Sequence, residues 1–403
     1  MKQYETLFCP GDILIPKTDL TAWSVVACDQ FTSDPDYWEQ VRQQAEGHPS
    51  ALHVIFPEAF LGKVDFDQTV ADINATMERY LGDDIFTCCQ NSMIYLERTL
   101  SSGAVRHGVV GLVDLEGYDY AVGSTSPVRA TEGTVLDRIP PRVRVRSGAA
   151  LELPHVMLLV DDPRNTVMEQ LAGETEQMRQ LYQFPLMLGG GTSKGWLLTD
   201  AQVARLTAAI AALPDPSEAH PLVLAVGDGN HSLATARACY QQAPTPQNRY
   251  AMVELCNLHD SSLVCEAIHR AVFGIDPHRF VKALNEYCAT RKGSCAPQTF
   301  TLVSPHGDHS ITIAAPECNL TVGSVQQFLD GYCKENGGTV DYIHGEAEAR
   351  GLVSPNSLAI LLPAMDKSEL FPAVVKDGAL PRKTFSMGEA RDKRYYLECR
   401  KIR

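Results

Sequence analysis

One short segment combines the residue types that hold an anion beside a carboxylate: Gly227-Asp228-Gly229-Asn230-His231. It follows the apolar run Pro221–Val226, which predicts a strand, and a helix is expected from about Asn230. Glycines let the backbone turn sharply and approach a ligand closely, while a helix N-terminus offers free N–H groups and a positive dipole end. Asp228 is suited to hold Mg²⁺ or a substrate hydroxyl, and His231 lies in the first helical turn. The residues expected to contact the anion are Gly227, Gly229, Asn230 and Ser232.

A simpler interpretation of this segment is a strand–turn–helix corner in which Asn230 or Ser232 caps the helix. The chain contains neither a Walker A sequence nor Gly-x-Gly-x-x-Gly. The segment therefore does not specify a standard P-loop or dinucleotide site.

Asp29 follows the apolar run Val25–Cys28. A carboxylate at the end of a strand is well placed to act as a base on a substrate hydroxyl. The alternative is a turn or capping aspartate before Phe31.

Arginines are concentrated between Arg129 and Arg146 in an otherwise acidic chain, and guanidinium groups suit phosphate recognition. Arg142, Arg144 and Arg146 alternate, so an extended segment would place them on one face, either as a phosphate site or as a solvated strand face. The pair His269-Arg270 fits two interpretations equally well: an anion site, or a structural pair at the start of a helix.

Charge and composition exclude some classes of function. The chain has 403 residues, a net charge of −14 and 12 cysteines without a Cys-x-x-Cys pair. The negative charge disfavours nucleic acid and anionic membranes, and the scattered cysteines are typical of a reducing compartment. With no visible leader or membrane-spanning run, we expect a cytoplasmic protein whose partner is a small anionic molecule, in an oligomeric state that the sequence leaves open.

Strand and helix patterns alternate, which predicts a mixed α/β (α+β) fold. The predicted strands are His107–Val113, Val156–Val160, Pro221–Val226, Tyr250–Leu255, Ser310–Ala314 and Ser357–Leu362. The predicted helices are Asn165–Gln183, Asp200–Leu213 with Thr199-Asp200 at its start, Pro277–Thr290 and Gly323–Glu335. Pro214–Pro221 is the best linker candidate, so the chain is either one unit, 1–403, or two lobes, 1–213 and 221–403.

Six segments together resemble a bacterial family of unknown function, number ten-fifteen, over nearly the whole chain. The segment Gly227–Ser232, which we call the glycine loop, resembles the family's Asp-Gly-His-His-Arg or Asp-Gly-Asn-His box. The other matching segments are Trp23–Gln30, Val128–Thr134 with Asp137-Arg138, Asn257–Asp260 with Ile268–Arg270, Tyr342–His344 and Leu380–Phe385.

The box is also similar to that of the ParB/sulfiredoxin superfamily, which includes free serine kinases. This resemblance implies a ParB/sulfiredoxin-like core with a large inserted or appended lobe, a phosphate cradle at the box and a separate carboxylate that activates serine. It also implies serine metabolism, because family members tend to accompany serine-biosynthesis genes. Asn230 and Ser232 stand where many members have His and Arg, so one cationic phosphate contact must come from elsewhere or the substrate differs.

The resemblance and the residues together predict a phosphotransferase acting on free serine or phosphoserine, with ATP, ADP or pyrophosphate as phosphoryl partner and Mg²⁺. The alternative is a non-catalytic nucleotide or small-molecule sensor. The expected catalytic residues are Asp29, Glu132, Asp228 and His231. Beside the glycine loop, the expected binding residues are Arg129, Arg138, His269, Arg270 and Lys383, and no metal ligand set is specified.

Overall fold

Helices and strands alternate along the chain in the computed structural model, which describes residues 4–153, 155–215 and 217–403. The predicted mixed α/β class is confirmed. The helices are α1 Leu20–Trp23, α2 Pro35–Ala45, α3 Phe66–Gly82, α4 Ile139–Ser147, α5 Asp200–Ala212, α6 Asn230–Gln242, α7 Pro277–Thr290, α8 Thr321–Asn336, α9 Glu346–Gly351 and α10 Lys367–Asp377. Among the described residues, no helix is long and apolar enough to cross a bilayer.

The strands fall into two large sheets and three short pairs. In chain order they are β1 Phe8–Cys9, β2 Gly11–Pro16, β3 Val25–Val26, β4 Phe86–Ser92, β5 Ile94–Thr99, β6 Val105–Asp114, β7 Tyr118–Asp119, β8 Val128–Ala130, β9 Leu151–Glu152, β10 Met157–Val160, β11 Arg179–Pro185, β12 Thr192–Leu197, β13 Leu224–Asp228, β14 Tyr250–Asn257, β15 Cys265–Phe273, β16 Gln298–Ser304, β17 Gly307–Ile313, β18 Thr339–His344, β19 Ser357–Leu361, β20 Phe385–Met387, β21 Tyr395–Tyr396 and β22 Arg400–Lys401.

The first large sheet has the order β11-β12-β5-β6-β14-β10-β13-β8-β7, with β1 added beside β6. Its inner strands read as continuous apolar runs because both faces are covered, and all four residues of β10 are buried. β13 pairs antiparallel with β10 and parallel with β8. The end of β13, and hence the glycine loop, is therefore held between two neighbouring strands.

The second sheet has the order β17-β16-β19-β15-β18, with β20 paired to the first part of β15. Its core is formed with α7, α8 and α10, through apolar side chains such as Phe280, Leu329 and Leu370. We call the two parts the first and second lobes, after their sheets.

The chain passes from the first sheet to the second between Asn257 and Cys265. The sequence placed its linker at Pro214–Pro221, of which Pro216 lies outside the described residues. The last residues return to the first lobe, where β21 pairs with β3 and β22 with β9. The boundary between the two sheets therefore lies after β14 and not at the predicted linker, because β13 and β14 pair with strands of the first sheet.

Each predicted strand has a counterpart within a few residues, and α5, α7 and α8 confirm three predicted helices. Thr199 caps α5 in a reciprocal pair with Gln202. The helix predicted at Asn165–Gln183 is wrong: a 3-10 segment, Glu169–Gln177, leads into β11, which pairs with β12. Asn165 has a φ of +55°, which breaks a helix at its start, and strand pairing prevails over the helical spacing.

The arginine segment is also different from its prediction. Arg142, Arg144 and Arg146 lie in α4, which begins with Ile139-Pro140-Pro141. Proline fits the first helical turn because its φ is already helical. The three guanidinium groups consequently point in different directions, toward Glu58, Asp67 and Glu152 respectively.

Candidate active site

A cleft of about 980 Å³ lies where the two lobes meet, and it contains most of the predicted site. The first lobe contributes the turn after β3, the β13–α6 loop and the start of α4. The second lobe contributes the end of β18 and the segment around β20. The predicted residues that line the cleft are Asp29, Glu132, Arg138, Gly227, Asp228, Gly229, Asn230, His231, Ser232 and Lys383.

The β13–α6 turn depends on its two glycines. Gly229 has a φ of +81°, the left-handed region, and a Cβ there would lie 3.0 Å from the Val156 Cα. A Cβ on Gly227 would lie 2.8 Å from the Leu159 side chain. Any larger residue would therefore move the loop away from β10.

The N-terminus of α6 is open, and this differs from the expected capping. Gly229 occupies the cap position, so no side chain caps the helix. Among the described residues, no acceptor bonds the backbone N–H groups of Asn230 and His231. The Asn230 Oδ1 atom is buried without a partner there. Two N–H donors and the positive dipole end thus remain available to an anion in the cleft.

Asp228 is held by two donors. Its Oδ1 accepts from the Gly229 N–H at 2.9 Å, and its Oδ2 lies 3.2 Å from the Lys393 Nζ. Lys393 itself lines the cleft and is only 17% exposed. Asp228 therefore places a cation beside the open helix terminus, which supplies a positive charge that the glycine loop itself lacks.

Asp29 faces the same cleft from the turn after β3. Burial raises the pKa of the Asp29 carboxyl, but His155, a hydrogen bond from Gln30 and the charge of Lys393 together hold it below the usual value. The Gln30 Nε2 donates to Asp29 Oδ1 at 3.0 Å. Asp29 is therefore an ionised carboxylate that can accept a hydrogen bond from a substrate hydroxyl.

A hydrogen-bonded chain connects Ser232 with the core. The Ser232 Oγ lies 3.0 Å from His155 Nε2, and His155 Nδ1 lies 2.7 Å from the Tyr396 hydroxyl. That hydroxyl also accepts from the Cys28 N–H at 3.2 Å. The chain fixes the imidazole between the first turn of α6 and the Asp29 turn.

His231 is a neutral side chain. Its pKa is lowered from 6.5 to about 4, chiefly because burial and the nearby Arg142 and Arg138 disfavour a second positive charge. Its Nε2 accepts from the Val135 N–H at 3.2 Å, so the proton of the neutral ring sits on Nδ1. His231 therefore acts here as a hydrogen-bonding group, not as a cation.

Glu132 connects the two lobes. Its Oε1 accepts from the Thr384 N–H at 3.3 Å, and its backbone bridges to Leu380. Burial raises the pKa of the Glu132 carboxyl, against the opposing effect of backbone donors at Lys383 and Thr384. These contacts show that Glu132 fixes the second lobe against the cleft wall.

Positive groups from both lobes surround the cleft. Arg138 and Lys383 have no ion-pair partner among the described residues, whereas Arg142 pairs with Glu58. Arg382 stacks on the Tyr342 ring with its guanidinium carbon 5.2 Å from the ring centre. The lining also contains the carboxylates of Asp29, Glu58, Glu132, Asp228 and Glu389. Arg138 and Lys383, which have no ion pair among the described residues, are therefore the groups that suit the cleft to a phosphate-bearing ligand.

Three predicted binding residues lie outside the cleft lining. Arg129 is buried and donates to the carbonyls of Ser126 and His220. Arg270 is fully buried on β15 and donates to the carbonyls of Ile268 and Lys383. His269 lies in the same strand, not at a helix start, and its Nδ1 accepts from the Leu362 N–H. All three hold the backbone, and Arg270 positions Lys383.

The sequence did not predict two residues of the cleft, His155 and Lys393. His155 stands directly before the predicted strand Val156–Val160, and this strand end was the available signal. Arg142 was predicted as a candidate phosphate contact, but on an extended face and not in a helix. Lys393 had no local signal, because it reaches Asp228 only through the return of the C-terminal residues to the first lobe.

One further group could hold a metal. The ligand atoms of Glu266, His344 and Glu389 lie within 4.8 Å of one another, and His344 and Glu389 line the cleft. The His344 Nε2 is 2.5 Å from Glu266 Oε2. Near the helix terminus, Asp29 and Asp228 supply the carboxylate oxygens that Mg²⁺ prefers.

The family model described as "Protein of unknown function (DUF1015)" matches residues 11–332. The chain belongs to this family. The matched range includes Asp29, Glu132 and the glycine loop, whereas Lys383 and Lys393 lie beyond it. No curated protein matches the sequence.

Several solved structures are similar at low identity. A free serine kinase in complex with AMP is 14% identical, with a TM-score of 0.38, over 70% of this chain and 91% of that chain. A conserved hypothetical protein from Pyrococcus furiosus is 12% identical, with a TM-score of 0.37, over 70% and 96%. SbnI with a C-terminal truncation from Staphylococcus aureus is 10% identical, with a TM-score of 0.37, over 69% and 82%. Similarity at this level assigns no activity, which has to be inferred from the site.

Proposed function

We propose that the protein is a phosphotransferase that moves a phosphoryl group between a nucleotide or pyrophosphate and the hydroxyl of free serine. One observation carries the proposal: the open N-terminus of α6 and the Asp29 carboxylate line the same cleft, together with cations from both lobes. Phosphoryl transfer depends mainly on positioning and on charge neutralisation. An anion site beside an ionised carboxylate meets both needs.

Each residue of the site has a proposed role. The N–H groups of Asn230 and His231 bind phosphate oxygens, and Lys393, Arg138 and Lys383 offset their charge. Asp228 orients Lys393 through the contact of 3.2 Å.

Asp29 accepts the hydroxyl proton of serine as the serine oxygen bonds to phosphorus. The bond between that phosphorus and the donor oxygen breaks, and the donor leaves with the electron pair. In the reverse direction, Asp29 returns the proton to the serine oxygen.

Mg²⁺ fits this site, since the oxygens of Asp29 and Asp228 are hard ligands beside the phosphate position and each carboxylate retains free lone pairs. The ion would offset the charge of the donor phosphates. Asp228 is the expected protein ligand.

The test is to incubate the protein and Mg²⁺ with serine and ATP, ADP or pyrophosphate in turn, and with phosphoserine plus ADP. Formation or loss of phosphoserine in at least one mixture is expected, measured by mass spectrometry. Absence of turnover in all of them contradicts the proposal. Tight nucleotide binding without turnover would instead favour the sensor.

A further inference from the structure

The cleft continues into an apolar chamber of about 190 Å³ between α3, α4 and α6. Its walls are formed mainly by aliphatic and aromatic side chains, including Val54, Phe56, Met77, Val145, Ala236 and Met252. It joins the cleft at a neck whose residues line both spaces: Glu58, Leu61, Arg142, His155 and Ser232. The chamber therefore begins beside the open end of α6 and extends along that helix.

The polar groups on the chamber wall are already engaged. Arg142 pairs with Glu58, and Glu152 accepts from Arg146 and, at 2.6 Å, from Arg400. Thr235 donates to the His231 carbonyl at 2.7 Å. No side-chain nitrogen or oxygen of the described lining residues is buried without a partner. The chamber thus offers mainly dispersion contacts to a ligand.

The size indicates a planar ring system. An apolar cavity of about 150 Å³ is sufficient for benzene, and this chamber is larger at about 190 Å³. Since Ser232 and Ala236 are one helical turn apart, a ring in the chamber lies beside the first turns of α6 while attached phosphates reach its N-terminus.

We propose that the chamber receives the base of a nucleotide, so that the phosphoryl partner is a nucleoside phosphate and not pyrophosphate. The inference rests on the proposed function for the identity of the cleft as a phosphoryl site. Because the wall is formed mainly by apolar side chains, we expect different purines to bind with similar affinity. The free hydroxyl amino acid stays in the polar cleft, near Asp29.

The experiment measures binding by calorimetry without an acceptor, so that catalysis is not required. Wild-type protein is titrated with ADP, GDP and pyrophosphate in the presence of Mg²⁺. We expect ADP to bind at least about tenfold more tightly than pyrophosphate, and GDP within about threefold of ADP. Equal affinity for ADP and pyrophosphate overturns the proposal.

A variant that fills the chamber gives the second arm. Val145→Trp places a large ring inside the chamber and is expected to weaken ADP binding about tenfold, while pyrophosphate binding stays within about twofold. Val143→Trp is the matched control, because Val143 lies in the same helix but does not line the chamber. Melting curves confirm that both variants are folded, and the wild-type titrations decide the matter if Val145→Trp is not.

Two results separate this inference from the proposed function. If Val145→Trp weakens serine binding and leaves ADP binding unchanged, the chamber belongs to the acceptor and the inference is wrong, although phosphoryl transfer stands. If pyrophosphate serves as donor with full turnover and ADP does not bind, the inference is also wrong while the function is confirmed.

Discussion

At the scale of single residues, Asp228 has the most distinctive environment. It lies between two glycines, and its carboxylate contacts Lys393 and the Gly229 N–H. We predict that Asp228→Asn lowers the rate of transfer by about 100-fold or more, because Lys393 loses the charge that orients it. The variant should remain folded, with the free energy of unfolding lowered by about 1–2 kcal/mol, since the lost ion pair is neither fully exposed nor fully buried. Kinetics and thermal melts together test this, and a variant that unfolds would make Asp228 a structural residue.

His231 supports a prediction about pH. Its pKa is about 4 in the folded protein and 6.5 as the ordinary value, so between these values the unfolded chain binds more protons. Stability from this group is present above pH 6.5 and is lost as the pH falls toward 4. Between about pH 7.5 and about pH 5, the melting temperature should therefore fall further in wild type than in His231→Gln. Equal drops would contradict the buried neutral imidazole.

Position along the chain explains which residues of the site could be predicted. Asp29, Asp228 and His231 stand at strand or helix ends, and such positions are visible in local sequence. Lys393 is recruited by a contact that is distant along the chain, so no local pattern marks it. His155 had only the weak signal of its place directly before a predicted strand. Arg129 and Arg270 had the right chemistry for phosphate, but their guanidinium groups hold backbone carbonyls instead.

At the scale of elements, the β13–α6 turn determines whether the anion site exists. We predict that Gly229→Ala destabilises the protein by at least about 1–2 kcal/mol, because alanine resists the left-handed conformation and its Cβ meets the β10 segment. Nucleotide binding should weaken in parallel. Gly331→Ala is the control, since a Cβ there in α8 meets nothing within 4 Å and helical alanine stabilises by about 0.5–1 kcal/mol. Urea unfolding measures both, and equal effects would show that the turn is tolerant.

The elements also show where sequence patterns were insufficient. The β13–α6 unit was predictable because its apolar run, glycines and helix are contiguous. The 165–183 region has helical spacing, yet β11 gains its stability from pairing with β12. Such pairing depends on a distant strand, and periodicity within one segment does not contain it.

At the scale of the whole molecule, the C-terminal residues close the first lobe. Arg394 contacts Glu254 at 2.6 Å, and Arg106 contacts the same carboxylate at 3.2 Å, with all three side chains at most 5% exposed. Burial raises the pKa of the Glu254 carboxyl, but the charges of the two arginines outweigh this effect and lower the pKa to about 2. The C-terminal residues pair with strands of the first lobe. A division of the chain into two consecutive lobes could therefore not predict where they lie.

We predict that Arg394→Ala lowers the free energy of unfolding by about 3–5 kcal/mol, because it leaves part of a buried charge network uncompensated. Arg391→Ala, the same change at an exposed position in the preceding turn, should cost less than about 0.5 kcal/mol. Denaturant unfolding of both variants provides the comparison. A small loss for Arg394→Ala would mean that the C-terminal residues are not needed to close the first lobe.

The proposed function requires phosphates to bind at the open N-terminus of α6, facing Asp29. A crystal structure of the protein with Mg²⁺ and a non-hydrolysable ATP analogue tests it most directly. We expect phosphate oxygens about 3 Å from the backbone nitrogens of Asn230 and His231, with Lys393 beside them and Asp29 facing the terminal phosphate. A nucleotide bound elsewhere, with this helix terminus still in contact only with solvent, would contradict it.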